Sequence, residues 1–316
     1  MKILINDTIS ENGKIILEEN GFEVITTKVA DEQLENFINE NFIDAILVNA
    51  NTSIEEELIE ACSGLKLIAC NSNSLENIDV AYAENNGLIV INITDATSNA
   101  AAELVFAHLL GMVRFLHQAN REMPLEGELS FNALKKQYAS GSELKGKTLG
   151  IIGMNAIGQE VARIALGIGM NVIASDNEKV ATSINIPFFN GQSIDININM
   201  TSLDEIIKKA DFISFHIPAQ ENYIIGASQI DNMKNGVGLI NVTHGRIIDE
   251  VALVNAIESG KVKYAGLDVF ENQPTPEIQL LMNPEISLSP NIATSTIEAK
   301  EKAGVELANK ITQLLA

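Results

Sequence analysis

The sequence predicts an α/β protein made of two doubly wound domains, each a parallel sheet with helices on both faces. Three observations carry that reading. Short apolar runs alternate with stretches of helical periodicity from residue 2 to 92, and a second alternating series runs from Lys147 to about Leu288. Between them, residues 99–118 are apolar almost all round as a helix. Alternation of this kind signals βαβ units. The 316 residues suit two domains of roughly 150 residues each. A hydrophobic fraction of 46% is enough for sizeable cores.

In the first series the strand candidates are Lys2–Asn6, Glu23–Thr27, Ala45–Asn49, Leu67–Cys70 and Leu88–Asn92. Helical stretches fall near 10–20, 31–39, 54–62 and 76–86, several behind turn or cap residues. The helix at 99–118 should be buried on most sides. Glu103, Arg114, His108 and His117 on it argue for a hinge or subunit interface and against a membrane span. The polar stretch 119–146, with Pro124, Gly127, Gly141 and Gly146, reads as an excursion over the surface. The second series places strands at 148–152, 171–175, 211–215, 237–241, 264–268 and 286–288. Residues 182–200, rich in Ile and Asn, read as a small β-hairpin, and a last helix at 296–315 has the period to pack back on the first domain.

Charge and cysteine content exclude whole classes. Lys plus Arg number 21 against 42 Asp plus Glu, a net charge of −21. Such a field repels polyphosphate and anionic membranes, so neither a nucleic acid nor a membrane is expected as partner. Two cysteines, Cys62 and Cys70, make no disulfide framework. Met1-Lys2 runs straight into Ile3-Leu4-Ile5, which leaves no room for a signal peptide. The expectation is a soluble cytoplasmic protein. No His/Cys cluster has metal-ligand spacing.

The strongest local signal is KTLGIIGMNAIGQEVARIALGIGMNVIASD, residues 147–176. A strand enters a turn at Gly153, a helix opens near Gly158, and a second strand ends at Asp176. That carboxylate stands where it would hold the ribose 2′-hydroxyl of NAD and repel a 2′-phosphate. The loop reads Gly153-Met154-Asn155-Ala156-Ile157-Gly158, with Asn155 where an intact glycine triplet has its middle glycine. Asn tolerates left-handed backbone, but its side chain occupies space that a phosphate would use. The loop is therefore read either as an NAD site or as a strand-to-helix turn that no longer grips dinucleotide.

The chain resembles the NAD-dependent D-2-hydroxyacid dehydrogenases, and most closely the short D-3-phosphoglycerate dehydrogenases. The likeness rests on AAELVFAHLLGMVR (101–114), GKTLGIIGM (146–154), IGQEVARIALGIGMNVIASD (157–176), HIPAQ (216–220), GVGLIN (236–241), IIDEVAL (247–253) and GKVKYAGLDVFEN (260–272). The resemblance implies a discontinuous, flavodoxin-like substrate domain, 1–98 plus 292–316, and a Rossmann-type nucleotide domain, 99–291. It implies NAD as cofactor, no further regulatory domain after the last helix, and a dimer built on 99–146. A heterodimer with an active relative is the other assembly considered. His216 and Pro218 at the cofactor edge, Thr243, and Asp268 at the nicotinamide carboxamide complete the implied cofactor set with Gly153, Asn155, Ala156, Ile157, Gly158 and Asp176.

The family interconverts 2-oxo and 2-hydroxy acids with an Arg that grips the carboxylate, a His general acid/base and a Glu that tunes it. Here Asn241-Val242-Thr243-His244-Gly245 puts His244 at the Arg position. Gln273 stands at the Glu position and Asn291 at the His. An amide neither gives nor takes a proton near neutrality, and general acid–base assistance is worth roughly a hundred- to ten-thousand-fold. The family's glycine- and arginine-bearing substrate loop reads Cys70-Asn71-Ser72-Asn73-Ser74, and a further family arginine is Asn49. His244 is the residue that could replace the lost acid. Arg246 lies on the far side of Gly245, His108 and His117 read as packing or interface residues, and Cys70 reads as a small buried hydrophobe. The sequence therefore predicts a dehydrogenase-fold protein with little or no hydride-transfer activity, acting as a dinucleotide-binding or partner protein. The alternative is an active NAD-dependent oxidoreductase on a small 2-hydroxy or 2-oxo acid with altered catalytic residues. The polar Asn/Ser-lined pocket favours a neutral or cationic ligand over a phosphorylated one.

Overall fold

A computed structural model describes residues 1–49, 52–72, 75–218 and 222–315. Along the chain run β1 (Lys2–Ile5), α1 (Glu11–Glu19), β2 (Glu23–Thr26), α2 (Asp31–Asn41), β3 (Ala45–Val48), α3 (Glu56–Ala61), β4 (Leu67–Cys70), α4 (Val80–Asn85) and β5 (Ile89–Asn92). Then follow α5 (Ser98–Val113), α6 (Leu116–Gln137), β6 (Thr148–Ile152), α7 (Ala156–Gly167), β7 (Asn171–Ser175), β8 (Ala181–Pro187), β9 (Ser193–Asn199) and α8 (Leu203–Lys209). The chain finishes with β10 (Phe212–Phe215), α9 (Ala227–Asp231), β11 (Val237–Asn241), α10 (Glu250–Glu258), β12 (Val262–Leu267), α11 (Ile278–Leu281), β13 (Ile286–Leu288) and α12 (Ile297–Leu315). Two compact units result, Met1–Thr97 with Ser295–Ala316, and Ser98–Thr294.

The first unit is a parallel sheet in the order β2-β1-β3-β4-β5. Its central strands AILV and LIAC are buried at every position, as expected of strands covered on both faces. Alternation sorts β1: Leu4 packs with Ile46 and Ile68 on one face, while Ile3 and Ile5 pack with Leu17, Leu307 and Ile311 on the other. The approach of α1 to α12 depends on two glycines. A Cβ on Gly13 would lie 2.6 Å from the carbonyl of Gly304, and one on Gly304 would lie 2.3 Å from Ser10 Oγ.

The second unit is a parallel sheet in the order β13-β12-β11-β10-β6-β7. The order reverses between β6 and β10, and nucleotides bind at the carboxyl ends of strands at such a switch point. Leu149 and Ile151 pack under α5 and α7. Ile213, Phe215 and Leu239 pack on the other face with Ile206 of α8 and Leu253 of α10. The predicted hairpin is present as β8 and β9, paired antiparallel from Ala181↔Asn199 to Pro187↔Ser193.

Two expectations need correction. The single apolar helix at 99–118 is broken, because α5 ends at Val113 and Phe115 adopts left-handed backbone (φ 56°) before α6. The polar stretch after it is mostly helix. Pro124 and Gly127 hid that helix, yet Pro124 is accommodated and the non-helical residue is Ser130 (φ −118°, ψ 17°). Among the described residues no single helix is long and apolar enough to cross a membrane.

Gly304→Val is expected to lower the unfolding free energy by about 1–3 kcal/mol through overpacking against α1. Gly64→Ala, with nothing within 4 Å of the new carbon, should stay within about 0.5 kcal/mol of the parent. Urea denaturation midpoints compare the two.

Candidate functional site

The carboxyl ends of β6, β10, β11, β12 and β13 form the site edge of the second unit. At the end of β6, Gly153 (φ +94°) turns the chain, and a Cβ there would lie 2.2 Å from the carbonyl of His216. Only glycine fits. Asn155 caps α7 with extended backbone (φ −67°, ψ −171°), so the left-handed tolerance of Asn is not used. Its Oδ1 accepts from the Gly158 N–H (3.1 Å) and its Nδ2 donates to the His216 carbonyl (2.9 Å). The side chain thus folds onto its own helix and the end of β10. The N–H groups of Ala156 and Ile157 meet no acceptor among the described residues. Two donors in the first turn of a twelve-residue helix suit the phosphates of a dinucleotide.

Asp176 closes this loop. Its carboxylate accepts from the backbone of Met154 (2.7 Å), Glu178 (2.9 Å) and Lys179 (3.0 Å). Partial burial alone would push its pKa up, but those three donors and the Lys179 ammonium hold it below the usual carboxylate range. It is an anion at neutral pH, fixed beside the donors of α7. His216 is fully buried, which drops its pKa to about 3. The ring is therefore neutral, with Nε2 against Ser214 Oγ (2.9 Å) and Nδ1 without a partner among the described residues. Pro218 follows it at the surface, and Ala219 and Gln220 lie outside the described residues.

His244, Gln273 and Asn291, which the resemblance puts at catalytic positions, follow β11, β12 and β13. Buried Asn241 takes the Thr243 N–H (3.2 Å) and donates to the His244 carbonyl (2.7 Å), while Thr243 Oγ1 donates to the Phe215 carbonyl. Gly245 then passes the 270–271 backbone so closely that a Cβ would lie 2.0 Å from the Phe270 carbonyl. Asn291 has left-handed backbone (φ 54°), a region in which Asn is enriched. Its Nδ2 donates to Gln273 Oε1 at 3.1 Å. The two amides keep each other in place, and neither can titrate. Arg246 is exposed and lies near Tyr223, whose hydroxyl donates to Glu271.

Asp268, fully buried, holds the turn that carries Asn291. It accepts from Ser289 Oγ (2.5 Å) and the N–H groups of Ile292 (2.9 Å) and Ala293 (2.8 Å), and its own carbonyl accepts from the Asn291 N–H. His108, 5% exposed, completes the network with Nε2 at 2.9 Å from Ser289 Oγ and Nδ1 at 2.8 Å from Ser287 Oγ. Ser289 has one proton and gives it to Asp268, so His108 carries its proton on Nε2 and accepts from Ser287 on Nδ1. Burial lowers its pKa, and Gly266 makes room for the ring. His108 was expected to be a packing or interface residue; it is a hydrogen-bonding element of the site's support. No sequence signal pointed to it, because its partners lie 179 and 181 residues away.

Glu250 and Glu271 were also not anticipated. Each carboxylate accepts the other's backbone N–H, at 2.8 and 3.0 Å. Burial, with the Glu271 and Glu277 charges, pushes Glu250 from an ordinary 4.5 up to about 7.

In the first unit the strand ends carry the residues expected of a substrate loop. The Asn71 N–H donates to the Val48 carbonyl and its Nδ2 to the Thr8 carbonyl (3.3 Å). Asn77 Nδ2 donates to the carbonyls of Asn49 (3.0 Å) and Thr52 (2.6 Å). Cys70 is buried with its thiol pushed up to about 11, consistent with the small hydrophobe expected. Ser72 is half-buried, and Asn73 and Ser74 lie outside the described residues. Among the described residues no group of His, Cys, Asp and Glu could hold a metal ion.

Two doubly wound units, one with a glycine turn and helix terminus at its switch point, define a nucleotide-binding dehydrogenase architecture. Residues 106–293 match the model of the D-isomer specific 2-hydroxyacid dehydrogenase NAD binding domain, and the chain belongs to that family. It is 37% identical to a hydroxypyruvate reductase of Thermotoga maritima, over 98% of this chain and 97% of that one. It is 36% identical to a D-3-phosphoglycerate dehydrogenase of Methanocaldococcus jannaschii, over the whole of this chain and 57% of that one. The chain thus spans little more than half the length of that relative. A solved acyclic imino acid reductase, in complex with NADPH and D-Arg, superposes with a TM-score of 0.82 at 29% identity, covering 100% of this chain and 97% of that one.

Two outcomes are expected. His108→Leu should cost about 1–3 kcal/mol by leaving Ser287 and Ser289 underbonded, and adding Ser287→Ile should restore part of the loss; thermal unfolding of the single and double variants reads this. Glu250 has a raised folded pKa, so its contribution is complete below 4.5 and is lost as pH rises through about 7. Glu250→Gln should therefore gain about 1–3 kcal/mol on the parent between pH 5 and pH 8, measured by denaturation across that range.

Proposed function

We propose that this chain is a dinucleotide-binding member of its family in which interconversion of 2-oxo and 2-hydroxy acids is lost or severely slowed. It serves in the cytoplasm as a nucleotide-binding or partner protein. The observation that carries this reading is the Asn291–Gln273 pair, which keeps a side-chain hydrogen bond between two catalytic positions but has no proton to exchange. NAD is the cofactor proposed: the Ala156 and Ile157 N–H groups hold its phosphates, and Asp176 faces its ribose and disfavours a 2′-phosphate. When bound, the dinucleotide supplies hydride chemistry. The chain's own residues supply its binding and orientation, with Asp268 and Thr243 shaping the nicotinamide end.

A second reading, an altered but active oxidoreductase, draws on His244, whose loop Asn241 holds in place. Assembly is proposed as a homodimer, or a heterodimer with a catalytically intact relative, through α6, where Leu125, Leu129 and Phe131 are exposed. With neutral amides in place of fixed cations, the small-molecule ligand is proposed to be neutral or cationic.

Calorimetry of nucleotide-free protein should show micromolar NADH binding that Gly153→Ala abolishes. The parent should turn over 3-phosphohydroxypyruvate and other 2-oxo acids at no more than about a hundredth of the rate of a variant carrying Asn291→His, Gln273→Glu and His244→Arg. Turnover by the parent at ordinary enzyme rates would overturn this reading, and its loss in His244→Ala would favour the second one.

A further inference from the structure

Most of the stretch between β7 and α8 is free of charge. Val180–Met200 contains Asp195 as its sole charged residue, in a chain where 20% of residues are charged. It forms the β8–β9 hairpin, anchored to the main sheet of the second unit by a parallel bridge between Met200 and Ala174. Ile184 and Ile198 are buried against the core, whereas Val180 is 88% exposed, Phe188 46%, and Phe189 fully.

The hydrogen bonds identify the open edge. Val180 O accepts from Met200 N, and Phe188 N donates to Gln192 O. In an antiparallel ladder such bonded residues alternate. Val180, Thr182, Ile184, Ile186 and Phe188 therefore turn their backbone groups toward β9. Ala181, Ser183, Asn185 and Pro187 turn theirs away, to a side where β8 has no strand partner among the described residues. The one residue of β8 without an N–H, Pro187, sits on that open side, where a strand tolerates proline. Exposed edges are usually guarded by charge, a bulge or a cover, and ATSINIP offers no charge.

We propose that β8 is a self-association strand, pairing antiparallel with β8 of a second copy about a two-fold axis through Ile184. Its symmetry points to a copy of itself as occupant. Val180 and Phe188, both exposed, lie four residues to either side of Ile184, so each would meet the other across the axis. Ser183 would stand opposite the partner's Asn185, with both outward N–H and C=O groups of each residue satisfied. Ala181 N–H would reach the carbonyl of the partner's Pro187, while the Ala181 carbonyl, with no N–H opposite, would stay in solvent. Two chains of charge −21 repel over most of their surfaces. β8 itself carries no charge, and Asp195 on the neighbouring β9 is already bonded by Asn185 Nδ2 at 2.8 Å. This surface follows the Asp176–Lys179 loop directly in the chain and does not include α6.

Mixing full-length Ser183→Cys with full-length Asn185→Cys under mild oxidation should give a reducible product of twice the 34.2 kDa chain mass. Neither variant alone should give it, since each cysteine faces the other position and Cys62 and Cys70 are buried. Ser183→Pro removes an outward N–H without touching a bond to β9, and Asn185→Lys guards the edge. Either should halve the sedimenting mass or raise the dissociation constant about tenfold or more, with unchanged circular dichroism. A wild type that sediments as a monomer, or a mixture that gives no cross-link while both edge variants sediment as wild type, overturns the proposal.

Discussion

The site edge of the second unit depends on one buried carboxylate. A carboxylate removed from water needs donors close by, or its burial is too costly. Asp268 finds three, and two of them are backbone groups of the turn that follows β13. Satisfying Asp268 therefore fixes that turn, and the turn fixes residue 291, whatever its side chain. The His108 network supports it from behind. The turn that carries Asn291 is thus held by Asp268, Ser289 and His108, and none of these bonds depends on the side chain at 291.

The glycine loop follows the same logic. By sequence the loss of its middle glycine looks like the loss of a phosphate site. In three dimensions what matters is the number of free donors. Asn155 uses one N–H, that of Gly158, and leaves those of Ala156 and Ile157. The position that cannot change is Gly153, where a left-handed turn and the His216 carbonyl both exclude a side chain. The two glycine positions thus have unequal physical roles, and this chain has altered the tolerant one.

What was legible in the sequence was set by periodicity. The strands AILV, LIAC and VGLIN announced themselves as continuous apolar runs, and the Ile/Asn alternation of 182–200 announced its hairpin. Helix α6 was not legible, because Pro124 and Gly127 read as breakers and its apolar residues, Leu134 apart, are not buried in the core. The bond from Asn155 to the His216 carbonyl was hidden too, since that partner lies 61 residues on. Local chemistry placed Gly153, Asp176, His244, Gln273 and Asn291 in one unit. The crosswise carboxylates Glu250 and Glu271, and the His108 pairing with Ser287 and Ser289, are long-range contacts between residues that carry no pattern of their own.

The Asn291–Gln273 contact separates two things that a catalytic pair normally combines. One is geometric: a donor and an acceptor at hydrogen-bond distance that hold two loops in register. Amides do this as well as an imidazole and a carboxylate, and Asn suits the left-handed backbone at 291. The other is the ability to change protonation state near neutral pH, which amides lack. Hydrogen bonding at this edge therefore does not require a titratable pair. The proposed loss of proton chemistry is thus compatible with an ordered binding surface at this edge.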